Sequence, residues 1–194
     1  METTQRSGLA APAQGTSFRR AAWGLSVGGG LWSLAFAVAD MHDRDPRIAQ
    51  SLGFVALIAM LWGTVELRRA RPHGTAILGS FGFAVAALGP ALLLIHEAIY
   101  MRTGQVHEAM WPWALISPPL GMAIAGFVIV RARRVGGWAR WIPLAVGALP
   151  LVVLAPLAAL TRDVPFQAVI AWGLLCILLG VAAARFARDT GAAS

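Results

Sequence analysis

Lysine is absent from this chain, and cysteine and tyrosine each occur once. A single cysteine, Cys176, excludes an intrachain disulfide and a thiol-based metal site; within an apolar run it reads as a buried structural thiol. Charge is scarce as well. Only 13% of residues are charged, against about 25% in ordinary soluble domains. A water-facing surface needs charge and a lipid-facing surface forbids it, so this deficit excludes a conventional soluble domain. Motifs are missing too. There is no phosphate-cradling glycine loop, nucleophile elbow, CxxC pair or paired histidines spaced for haem, and Gly28-Gly29-Gly30 falls inside an apolar run.

Long apolar stretches fill the 194 residues instead, and 58% of the chain is hydrophobic. The runs cover about 23–39, 50–67, 76–100, 113–131, 141–160 and 167–187. At a rise of about 1.5 Å per residue, each can cross a hydrocarbon core of about 30 Å. The apolar residues are continuous rather than alternating, which disfavours strands. The expected fold is therefore all-α: a polytopic integral membrane protein whose six transmembrane helices occupy 21–188. A flexible polar tail, 1–20, precedes them and a short one, 189–194, follows. The composition matches small multi-span bacterial inner-membrane proteins.

Orientation follows from the arginines. Arg6, Arg19, Arg20, Arg68, Arg69, Arg71, Arg131, Arg133, Arg134, Arg140, Arg185 and Arg188 fall on one side of six alternating spans. Arg44, Arg47, Arg102 and Arg162 fall on the other. Under the positive-inside rule this split places both termini in the cytoplasm. The acids lean the opposite way, with Asp40, Asp43, Asp45, Glu97, Glu108 and Asp163 outside. Tryptophans near both boundaries match an aromatic belt. The net charge of +7 is dispersed in small groups flanking the spans, so it implies a lipid bilayer partner and no nucleic acid. Ala37-Val38-Ala39 before Asp40 resembles a signal-peptidase site, but the preceding run is longer than a usual signal core, and the expectation is an uncleaved first span.

Small residues recur at steps of four: Gly24 with Gly28, Ser26 with Gly30, Ser117 with Gly121 and Ala125, and Ala76 with Ser80 and Ala84. Such spacing lets helix backbones approach closely in lipid. Packing within one bundle is the favoured reading; contact in a homo-oligomer or with a partner membrane protein is the other.

Few ionisable groups lie mid-membrane, which argues against an ion-coupled transporter. Polar chemistry gathers at the outer side. His96 and Tyr100 share a helical face and Glu97 lies about 100° away; these three are the candidate catalytic residues. His42, His96, His107 and Glu108 are the candidate metal ligands, although His96-Glu97 lacks the second histidine of HExxH. His73, beside Pro72 in a connection, carries no functional signal. Pro90, Pro118, Pro119 and Pro156 interrupt the third, fourth and fifth spans, each freeing a carbonyl four residues earlier. They are expected to shape an outward pocket rimmed by His96, Glu97 and Tyr100.

The sequence identifies no particular cofactor and leaves that identity unknown. The leading expectation is a non-enzymatic accessory, sensor or assembly subunit. The alternatives are a membrane-embedded enzyme acting on a lipid-like or isoprenoid substrate, and a small permease or metal-handling protein. A lipophilic small molecule is the ligand class an outer pocket would admit.

Overall fold

The computed structural model describes residues 11–40, 46–104, 108–154, 156 and 166–191. Those residues are helical apart from short turns and connections, with no strand among them. Among the described residues six α-helices follow in order: α1 (Ala11–Asp40), α2 (Pro46–Ala70), α3 (Ile77–Thr103), α4 (Trp111–Ala132), α5 (Ile142–Leu149) and α6 (Phe166–Gly191). All but α5 include a stretch long and apolar enough to cross a membrane. Much of their outer surface is bare Leu, Ile, Val and Phe, such as Ile77, Phe81, Phe127 and Val152. Contiguous apolar surface on that scale is intolerable in water and ordinary in lipid.

Sequence chemistry sets the helix ends. Pro46 opens α2, and Pro112 and Pro143 sit in the first turns of α4 and α5, where a missing N–H costs nothing. Gly104 ends α3 in the left-handed conformation, donating its N–H to the Tyr100 carbonyl at 2.8 Å. Arg133 ends α4 in the same conformation without glycine's freedom.

Two boundaries differ from expectation. Helix α1 starts at Ala11 instead of near residue 23, so 11–20 is helical rather than a free tail. The reason is that Phe18, Ala21 and Leu25 share one helical face, and all three are buried, Phe18 edge-on to Phe186 at 5.6 Å. The fifth apolar run is also not one continuous α-helix. At Pro150 it passes into a π turn, Pro150–Leu154. Proline cannot donate to the carbonyl four residues back, and the wider turn accommodates that loss. The described apolar helical segment here is Trp138–Val153.

The helices pack as a ring. α1 lies between α2 and α6, α2 meets α3, α3 packs along α4, α4 along α5, and α5 touches α6. One core, at the end carrying Arg19, Arg68, Arg131 and Arg188, centres on Phe18, Leu25, Phe83, Ile129 and Phe186. A second, towards the other end, centres on Trp32, Leu57, Met60, Leu93 and Cys176.

Close approach depends on missing side chains. A Cβ on Gly24 would meet the Ala59 carbonyl and Gly63 Cα, each at 2.8 Å, and Ser26 packs against Gly180. Gly121 sits against the backbone of Gly82 and Ala86. The expected small-residue seams at Gly24/Gly28 and at Gly121/Ala125 are thus contacts within this chain, while Gly30 has open space beside it.

Candidate functional site

A cavity of about 320 Å³ opens between α1, α2, α3 and the start of α4, at the end of the bundle away from the arginine-rich termini. Helix α1 contributes Trp32, Ala35 and Phe36; α2 contributes Gln50, Gly53, Phe54 and Leu57; α3 contributes Leu93, Glu97 and Tyr100; α4 contributes Trp111. Its walls are apolar and aromatic, with two strongly polar side chains in contact. Gln50 Nε2 donates to Glu97 Oε2 at 2.9 Å. The bond joins residues 47 positions apart and fixes the carboxylate's direction from across the helix pair. Trp32 and Phe36 stack at a tilt, 4.8 Å between centroids, on one wall.

The three sequence candidates separate. Glu97 and Tyr100 both line the cavity. His96 does not. It is buried, its ring meets the edge of Trp111 at 5.3 Å, and its Nδ1 has no hydrogen-bond partner. The 100° between consecutive helical positions turns the imidazole away from the carboxylate's side.

The prolines build a seam rather than this cavity. Pro90, Pro118 and Pro119 are buried, Pro118 against Gly89 of α3 and Pro119 with its carbonyl towards Gly147 of α5; Pro156 is exposed, and none of the four lines the cavity. Pro118 removes the helical donor to the Ala114 carbonyl. Gly89 closes over that oxygen, so near that a Cβ there would come within 2.6 Å of it. The freed carbonyl is covered by an approaching helix, one of the ways lipid permits an interrupted helix. The opening lies on the other flank of α3 from the one the proline pattern suggested.

His42 and His107 lie outside the described residues, as does the side chain of Glu108. Among the described residues no three His, Cys, Asp or Glu side chains gather closely enough to hold a metal ion.

At the arginine-rich end, His73 is more ordered than a loop residue beside proline suggests. It is buried, its Nε2 lies 3.0 Å from Ser80 Oγ, and its ring packs against Phe83. Burial and the cations Arg71, Arg68 and Arg134 hold its pKa below the usual histidine value. Arg134 lies against Gly74, whose φ of +70° admits the turn. Glu66, buried at the end of α2, pairs with Arg69 at 2.7 Å. These contacts anchor the α2–α3 connection, and none of their residues lines the cavity described above.

Sequence reasoning missed Gln50, Trp32, Phe54 and Trp111 as wall residues. One signal was present: Gln50 is an amide at the start of an otherwise apolar run, a costly placement unless it has a partner. Comparison with protein-family models, with curated proteins and with solved structures returned no match, so the functional reading rests on the chain's own residues.

Proposed function

We propose that this chain is a six-pass inner-membrane protein with both termini in the cytoplasm, serving as an accessory, sensor or assembly subunit whose outward cavity receives a lipophilic small molecule. The observation that carries the binding role is the cavity itself: aromatic walls around one carboxylate, held by Gln50. Pockets of this size with few convergent polar groups are the usual form of small-molecule sites. A binding role is favoured over catalysis because, among the described residues, Glu97 has no basic partner beside it in the cavity, His96 being packed against Trp111 instead. An enzyme of lipid-like substrates would retain Glu97 and Tyr100 on the wall but would need its proton acceptor from elsewhere.

Six crossings are supported by direction. Close contacts of Gly126 with Leu144 and of Gly147 with Ala123 run α5 antiparallel to α4, and those of Gly29 with Gly173 and Gly180 with Ser26 run α6 antiparallel to α1. The chain therefore returns between α5 and α6. The described part of the fifth run, Trp138–Val153, covers about 24 Å at helical rise. The arginine split supports cytoplasmic termini. Retention of α1 is supported by its place between α2 and α6, which both lose their main neighbour if it is removed.

Topology is tested with cysteines introduced at Asp43 and Arg69 and labelled in intact cells by an impermeant maleimide. Label is expected at 43 from outside, and at 69 only after permeabilisation; labelling of both from one side overturns the arrangement. Binding is tested in lipid nanodiscs with a small apolar diazirine photoprobe. Saturable labelling of Trp32, Phe54 and Trp111, competed by excess unlabelled probe, is expected. Uniform labelling of the lipid-facing surface that excess probe does not reduce overturns the binding role.

A further inference from the structure

Aromatic rings from four helices line the same cavity: Trp32 and Phe36 from α1, Phe54 from α2, Tyr100 from α3 and Trp111 from α4. Among the described residues that line the cavity, Glu97 is the one ionisable acid and none is Arg or His. Neither ion pair found among the described residues involves Glu97. Its hydrogen-bond partner, the Gln50 amide, is neutral and orients the carboxylate without bringing an opposite charge.

The chemistry of these walls selects by charge. Aromatic faces present negative potential, and the carboxylate adds a full negative charge. An anion meets repulsion from the carboxylate. A neutral apolar molecule packs against the rings but strips water from the carboxylate and returns nothing to it. A compact inorganic cation loses more hydration than one carboxylate and one amide oxygen can restore. A cation whose charge is spread over alkyl groups loses little hydration and satisfies rings and acid together.

We propose that the cavity binds an organic ammonium, a tertiary or quaternary amine carrying an apolar body. The inference rests on the reading of the cavity as a binding site and adds the charge and class of its ligand. Two sources present this chemistry: the headgroup of an amine-bearing lipid, and a free lipophilic amine entering from the outer side.

The test uses the full chain in nanodiscs and a matched pair of probes, phenyltrimethylammonium and its neutral isostere tert-butylbenzene. Specific binding is measured as the excess over a Gly53→Trp variant, whose indole fills the cavity. The cation is expected to bind more tightly than the isostere. Glu97→Gln is expected to weaken the cation by about tenfold to a hundredfold while leaving the isostere unchanged. If Glu97→Gln does not assemble, Trp111→Leu serves instead. It leaves the carboxylate in place and is expected to lower cation affinity more than isostere affinity, as loss of a ring face requires. Equal binding of both probes, insensitive to Glu97→Gln, overturns the ammonium inference and preserves the cavity as a binding site. No excess of either probe over Gly53→Trp overturns both. Phosphatidylcholine discs separate the sources. Its trimethylammonium headgroup weakens the probe relative to phosphatidylglycerol discs if a lipid is the ligand, and a free-amine site gives the same ratio of wild-type to Glu97→Gln affinity in both.

Discussion

Replacing Gly28 with leucine is expected to prevent the bundle from assembling, whereas the same change two residues later, at Gly30, leaves it intact. A Cβ on Gly28 would approach the Met60 backbone nitrogen at 2.8 Å and the Ala56 carbonyl at 2.9 Å. The Met60 side chain could turn aside, but the α2 backbone cannot yield without moving the helix. Larger side chains in a packed seam cost about 1–3 kcal/mol and sometimes more, and leucine here adds a branched group to a contact with no room for its first carbon. The loss spreads, because α1 holds α6 on its other side through Gly29 and Gly173. At Gly30 no atom lies within 4 Å of where a Cβ would stand, and leucine improves helix propensity by somewhat under about 1 kcal/mol. Size-exclusion profiles and thermal unfolding of both variants check this. If Gly30→Leu is as damaging as Gly28→Leu, that face meets a second copy or another membrane protein, and the packing is not confined to one chain.

Gly53→Trp is expected to abolish saturable photoprobe labelling while leaving the melting temperature near that of the unaltered chain. Gly53 lies on the cavity wall, and its missing Cβ points into open space. An indole there occupies volume that the ligand needs. It should cost the fold little, since glycine within a helix is already unfavourable by about 0.5–1 kcal/mol relative to alanine. Loss of affinity well beyond tenfold is the expected size, because exclusion removes the ligand's whole contact with the walls. Undiminished labelling in this variant would place the probe somewhere else on the bundle.

The helical architecture was legible from hydropathy because lipid demands long uninterrupted apolar segments, and the arginine clusters mark helix ends whichever way the bundle sits. What escaped was set by neighbours distant in sequence. The start of α1 at Ala11 depends on Phe18 meeting Phe186; the polar letters around Phe18 do not reveal it. His73 looked like a loop residue because its partners, Ser80 and Phe83, become partners only once α3 turns back beside it. For the site, helical geometry alone separated Glu97 from His96. It could not pair Glu97 with Gln50 or bring Trp32 and Trp111 to one cavity, since those meetings need the order of helices around the ring. Pro118 frees the Ala114 carbonyl inside a continuous α4, yet Gly89 lies against that oxygen and leaves no pocket there. Reading a pocket from proline fails whenever a glycine faces it.

Cys176 lies 4% exposed, its Cβ close to Gly29 where α6 runs along α1. A thiol reagent can reach that sulfur only when the two helices part. Its rate of modification under native conditions therefore counts separations of this junction, as amide exchange counts the openings of a helix. Because the chain has no other thiol, the unaltered protein carries its own clock for the contact that closes the ring.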